Sequence, residues 1–295
     1  MRIGALRLVV VDYRTELLVV ARSAYRRNDW GTSYESFRQV DGLQQLDTED
    51  LAAFGSVAWR QGHGREAVRI NERVHTRLLR TDPVSAAMKA AELGLAWLTR
   101  GHVDLARSWA QRGTALLRGV PEAAAHGYLT YLVAVIEAES GSTIGLSGAA
   151  RELSGIAVRL DDGALGTLAQ VLAGLATADD SALDDVLLPI LEERVPVEWA
   201  GDVYRRLLTR AARSGDDQRL RSWTRSMRRW CEAAQPENTH WAYGAICEVH
   251  QLSVEPVADP KELIRRGIDL RRLVGEVDAV AASLADALLA RGMRG

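Results

Sequence analysis

The stretch Ala91–Ala110, AELGLAWLTRGHVDLARSWA, decides the fold. It reads as an apolar helix, a break at Arg100-Gly101-His102, and a second helix. Leu93 and Gly94 stand just before the middle of the first helix, and Ala106 stands five residues after Gly101. Small residues at facing positions let two antiparallel helices approach to about 8–10 Å. A glycine between them ends the first helix by taking left-handed backbone.

The same register returns along the chain. Breaks read Arg27-Asn28-Asp29, Gln61-Gly62-His63, Ser140-Gly141-Ser142 and Ser214-Gly215-Asp216, with a weaker Ala178-Asp179-Asp180. The anchors 28, 62, 101, 141, 178 and 215 are separated by 34, 39, 40, 37 and 37 residues. That is near the period of about 34 of tetratricopeptide helix pairs. Seven residues before the anchor come Ala21, Gly55, Gly94 and Ala134, drifting to Val171 and Leu208. Five after it come Ser33, Ala67 and Ala106, drifting to Leu146, Leu183 and Leu220. One helix pair cannot bury its own apolar face, so neighbours must stack. The predicted fold is all-α, a right-handed α-solenoid of about six to seven degenerate tetratricopeptide-like helix pairs.

In this reading residues 1–14 are an N-terminal tail or cap, 15–255 the solenoid and 256–295 closing helices. Leu6–Tyr13 is open between a strand, a fraying helix and a tail. Asp259–Val274 and Val277–Leu289 read as the two closing helices. Asp29, Asp104, Asp180 and Asp216 fall at helix starts, where carboxylates cap amides and suit the dipole. Pro83, Pro121, Pro196 and Pro236 fall between units. Pro189 should kink or break the helix over Asp184–Glu193. The Gly/Ser-rich Gly141–Gly155 is expected to be disordered or bent.

The chain has 295 residues, 47% hydrophobic, with a formal net charge of -2. That balance argues against a dedicated nucleic-acid binder, whose footprint is basic. The longest apolar runs, Leu6–Val11 and Leu129–Ala138, fall short of the roughly 20 residues a spanning helix needs. No membrane role is expected. Two cysteines, Cys231 and Cys247, fit a reducing compartment. The expected location is the cytoplasm.

In a stacked array of helix pairs the first helix of each pair lines the concave face. Its inward positions lie 13, 10, 6 and 3 residues before the anchor, on one helical face. They are Thr15, Leu18, Arg22 and Tyr25, then Glu49, Ala52, Ser56 and Trp59 with Arg60 beside them. The third unit gives Met88, Ala91, Leu95 and Leu98. The fourth gives Tyr128, Tyr131, Val135 and Ala138 with Glu139 beside them. The fifth gives Leu165, Leu168, Leu172 and Leu175, and the sixth Asp202, Arg205, Thr209 and Ala212. Arginine and aromatic side chains are what recognition surfaces favour. The candidate groove residues are therefore Arg22, Tyr25, Glu49, Trp59, Arg60, Tyr128, Tyr131, Glu139, Asp202 and Arg205. The apolar stripes of units three and five should not face open water. Either the superhelix is tight and they touch each other, or an apolar group sits on them.

Other constellations carry less. Cys247 and His250 share a helix face, but Cys231 stands at another height on an antiparallel helix. Thiols packing as small hydrophobes is the better reading. No histidine has metal-ligand spacing. Gly145-Leu146-Ser147-Gly148 is one residue short of a nucleophile elbow and follows no strand. Arginines cluster over Arg205–Arg229 and at 265, 266, 271 and 272. They are read as a solvated face paired with nearby acids such as Asp184 and Asp202. No active-site signature and no cofactor or metal site is found.

Asn28-Asp29-Trp30, Gly201-Asp202-Val203-Tyr204, Trp223-Thr224, Arg229-Trp230-Cys231 and Cys247-Glu248-Val249-His250 carry a resemblance. Over roughly residues 20–255 the chain resembles the tetratricopeptide-like region of actinobacterial LuxR-type transcriptional regulators, a region also seen attached to some nucleotide-cyclase domains. Those regulators carry a helix-turn-helix and often an ATPase module. The sequence has no GxxxxGK[ST] loop, and Val277–Gly295 is expected to hold only one helix. The resemblance thus implies the sensor or scaffold part, and DNA binding is not carried over.

The leading expectation is a protein-interaction or ligand-sensing scaffold of regulatory type. A partner's peptide segment or a small apolar ligand would bind in the groove. Nucleic acid is not expected. The alternatives are a DNA-associated regulator using the arginine clusters, and an enzyme or enzyme subunit with a pocket in the groove.

Overall fold

The structure, a computed structural model, describes residues 2–43, 45–177, 180–192, 194–234, 241–255 and 259–294. The anchor Ala178 and the residues Asp179, Glu193, Pro236 and Pro256 lie outside the described residues. Among the described residues every regular element is an α-helix. The helices pair as α1 (Arg2–Arg26) with α2 (Trp30–Leu43), and α3 (Thr48–Arg60) with α4 (Gly64–Leu78). Next come α5 (Pro83–Thr99) with α6 (Val103–Leu116), and α7 (Ala124–Glu139) with α8 (Leu146–Leu160). Helix α9 (Gly163–Leu175) is followed by two short pieces, α10 (Ser181–Asp184) and α11 (Leu187–Leu191). Then α12 (Val197–Ser214) pairs with α13 (Asp217–Ala234), α14 (Ala242–Val254) with α15 (Pro260–Val274), and α16 (Ala279–Gly292) ends the array. First helices stack on first helices, as α5 on α7, α7 on α9 and α14 on α16. The chain is an α-solenoid of helix pairs.

The anchors are where the backbone turns left-handed. Asn28, Gly62, Gly101, Gly141 and Gly215 all have positive φ, from 60° to 92°. The predicted crossings also form. Ser33 Oγ donates to the Ala21 carbonyl at 3.1 Å. A methyl on Gly94 would stand 2.6 Å from a Leu132 methyl and 3.3 Å from the Ala106 carbonyl. Asp29 and Asp216 accept from the amides of Thr32 and Arg219. Asp180 does not cap; its carboxylate takes Arg210 and Arg219 instead.

Three local expectations are settled. Residues Leu6–Tyr13 are helical, continuous with the first repeat helix. The helix carrying Pro189 is broken at Asp185-Val186. The proline ring would clash with the carbonyl four residues earlier, which belongs to Asp185. The bend or disorder expected over Gly141–Gly155 is not found in the helical part, because α8 runs unbroken from Leu146 to Leu160. Its stripe of Leu146, Leu153, Ile156 and Ala157 is buried. That burial outweighs the roughly 1 kcal/mol a helical glycine costs.

The array closes on itself. Helix α14 touches α3, and the turn between α15 and α16 packs against the turns of units two and three. A methyl on Gly62 would stand 2.7 Å from the Leu273 carbonyl, and one on Gly64 would overlap the Glu276 carbonyl. Arg65 N donates to Glu276 Oε2 at 3.2 Å, and Arg65 Nε pairs with Oε1 at 3.3 Å. The apolar stripes of units three and five are covered by this tight winding: Leu95, Leu98, Leu165, Leu168 and Leu172 belong to one continuous core with Trp199 and Val203.

Candidate functional site

The closed winding leaves a cavity of about 660 Å³ on the concave side. Helices α1, α3 and α5 form one wall, and α12 and α14 the other. On α3 the predicted face, Glu49, Ala52, Ser56 and Trp59, lines it in full. Arg22 and Tyr25 of α1 and Asp202 and Arg205 of α12 line it too. Arg22 is fixed by two bonds of 2.7 Å to Asp50. This hydrogen-bonded pairing raises the guanidinium's pKa.

Four predicted groove residues are not in the lining. Tyr128 and Tyr131 are buried because Trp199 of α12 packs over them, with ring centroids 4.7 and 5.8 Å away. A side chain covered this way is core, not recognition surface. Glu139 is drawn into an ion network behind the wall, accepting from Arg206 Nη1 at 3.0 Å and Arg205 Nη2 at 3.3 Å. Arg60 lies over the Trp30 ring at 4.3 Å and reaches Glu198 Oε1 at 3.6 Å.

The structure adds residues that the register did not indicate. On α5 the lining is Lys89, Glu92, Leu95, Ala96 and Thr99. Of the predicted Met88, Ala91, Leu95 and Leu98, only Leu95 is among them. Most lining positions on α5 lie one residue further along, a rotation of about 100°. Glu198 of α12 and Tyr243 and Ile246 of α14 also line the cavity. A charged pair inside the otherwise apolar α5, Lys89 and Glu92, was the available signal. Tyr243 lies beyond the last anchor, outside the repeat register.

The floor of the cavity is a buried ion network. Asp202 Oδ2 accepts from Tyr131 Oη at 2.8 Å and Arg206 Nε at 2.7 Å, and Oδ1 accepts from Arg205 Nη2 at 3.2 Å. Burial opposes its ionisation, but Arg206 and Arg205 outweigh burial and hold the carboxyl below its ordinary range. Arg205 Nε stands 3.7 Å from Asp278 Oδ2, while Asp278 Oδ1 caps α16 at Ala281 N. The arginine cluster is therefore not a solvated face at this end. Arg205 and Arg206 are buried, and Arg210 and Arg219 pair with Asp180.

On the α5 wall, burial raises the Glu92 carboxyl above its usual range; Lys89, hydrogen-bonded to it, opposes this and Glu198 adds to it. Trp59 and Tyr243 lie with ring centroids 4.6 Å apart. Tyr243 reaches the wall because Gly201 has no side chain; a methyl there would overlap the tyrosine ring.

The resemblance residues in the C-terminal half serve this packing. Trp230 meets Tyr204, Trp241 and Tyr243 with centroids 5.3–5.4 Å apart. Cys247 Sγ donates to the Thr224 carbonyl at 3.4 Å, and Trp223 Nε1 donates to Asp184 at 2.6 Å. Both thiols are buried. Burial pushes Cys247 up to about 12 and Cys231 well above the ordinary thiol value, so both stay protonated at neutral pH. Among the described residues no group of three or more His, Cys, Asp or Glu could hold a metal ion, and no helix is long and apolar enough to cross a membrane.

No family model and no curated protein matches the sequence. Two solved structures are similar over nearly the whole chain. One is a tetratricopeptide repeat protein from Parabacteroides merdae, 15% identical, covering 95% of this chain and 98% of that one, with a TM-score of 0.44. The other is the TPR2AB-domain:pHSP90 complex of yeast Sti1, 14% identical, covering 96% of this chain and 99% of that one, with a TM-score of 0.33.

Proposed function

We propose that the chain is a protein-interaction scaffold of regulatory type that receives a short peptide segment of a partner in the concave cavity. The observation that carries this is the cavity itself, walled by helices from both ends of the array and lined by aromatic, apolar and charged side chains. Such a mixture suits a segment with both apolar and polar side chains. The regulatory class follows from the resemblance to LuxR-type regulators, and a cytoplasmic location belongs to the same proposal. A second reading, a free small ligand, is favoured by one fact. The volume lies within the roughly 300–1,000 Å³ of small-molecule sites.

The cavity can be filled without cutting the core. Ala52 is half-buried and lines it, so Ala52→Trp should block occupancy while circular dichroism stays unchanged. Wild type and variant would each be used to capture partners from source-cell lysate, and small molecules would be released from both by denaturation. A protein recovered by wild type and lost in the variant supports the peptide reading. A small molecule lost instead supports the second. Identical recovery of every bound species by both proteins sinks both.

A further inference from the structure

The charges of the cavity are unbalanced in a particular way. Six acidic and four basic side chains line it, a formal excess of two negative charges. The basic groups are largely committed: Arg22 to Asp50, Lys89 to Glu92, Arg205 to Asp202 and Glu139. The acids are not. Glu198 Oε1 has only long contacts, 3.4 Å from Ser56 Oγ and 3.6 Å from Arg60 Nη2, and its side chain is 40% exposed. Independently, Asp278 is 2% exposed and lines the cavity, and its Oδ2 accepts no hydrogen bond, facing Arg205 Nε only at an ion-pair distance of 3.7 Å. A buried carboxylate oxygen without a donor is costly, and a donor supplied by a ligand would relieve it. Tyr243 Oη donates to the Glu198 backbone carbonyl at 3.3 Å and the Tyr243 ring backs Trp59, a half-buried indole whose face attracts cations.

We propose that the cavity selects a basic side chain, the lysine or arginine of a partner peptide, held between Glu198 and Glu92 with its stem along Trp59. This rests on the peptide-binding reading above. An ammonium or guanidinium there meets carboxylates from two walls in a partly desolvated site, where charged hydrogen bonds are strong. An acidic side chain would meet net repulsion. The long stem of lysine or arginine also suits aromatic walls with a charged end.

The test is a positional-scanning array of acetylated hexapeptides, probed with the full chain as wild type, Glu198→Gln and Glu92→Gln. Wild type is expected to prefer Lys or Arg over Leu at one position by about tenfold, the equivalent of roughly 1.4 kcal/mol. Either variant should lower that preference several-fold while its preferences at the apolar positions persist. The second variant keeps the test decisive if the first does not fold. Peptides bound without a basic preference, or with an acidic one, would overturn this inference and leave the peptide reading standing. No retained peptide at all would overturn both.

Discussion

His250 shows how much one residue carries. It is fully buried, and neither ring nitrogen has a hydrogen-bond partner. Burial, and then Arg205, push its pKa from the ordinary 6.5 down to about 4. Between those values the unfolded chain takes a proton that the fold refuses. Stability contributed by neutral His250 is therefore whole above about pH 6.5 and lost as pH falls toward 4, by roughly 3 kcal/mol. His250→Leu removes that proton uptake and an unsatisfied polar group. Urea unfolding between pH 4 and 7 should show a shallower acid loss in the variant than in wild type. Equal slopes would contradict the assignment. At this scale the sequence was readable where one helix face met the cavity alone, as with Glu49 and Trp59. It was not readable for Tyr128 and Tyr131, whose cover, Trp199, comes from a helix two units away in the array.

Among the elements, the breaks were the most legible feature. A residue that must turn left-handed leaves its mark in composition, and Asn28, Gly62, Gly101, Gly141 and Gly215 all do so. Pro189 likewise announces the split between α10 and α11. The rotation of α5 left a fainter mark, the Lys89 and Glu92 pair, because the alanine-rich surface around it can be packed at several angles. Nor does sequence say which turn a glycine's missing side chain makes room for. Gly64 and Gly163 are both first residues of helices, but only Gly64 faces another backbone, the Glu276 carbonyl. Gly64→Ala should cost about 1–3 kcal/mol through overpacking, with lost amide-exchange protection concentrated in α15 and α16. Gly163→Ala, with open space around it, should be neutral or slightly stabilising. Uniform loss of protection in Gly64→Ala, or none, would contradict the role given to that turn.

For the whole molecule the repeat period predicts stacking, and stacking alone does not say how far the array winds. Small rotations per unit accumulate along such an array. Here they bring the last helices back onto units two and three, some 210 residues earlier in the chain. The same winding packs the two apolar stripes into one core with Trp199 and Val203, so they need no ligand to cover them. It also explains why Arg22, Trp59, Asp202 and Tyr243, far apart in sequence, share one cavity. The site depends on this closure, since without it α3 and α14 are not neighbours and the cavity does not exist.

The most direct test is a cross-link across the seam. Arg65 and Glu276 meet there and are partly exposed, while the native thiols are buried and should stay unlabelled. Arg65→Cys/Glu276→Cys would be treated with a short bismaleimide in dilute solution, alongside wild type and each single variant. Closure predicts an intramolecular link in the double variant alone, seen as a faster-migrating monomer and as one joined peptide by mass spectrometry. Two singly modified cysteines with no joined peptide would mean an open array, and would contradict the account.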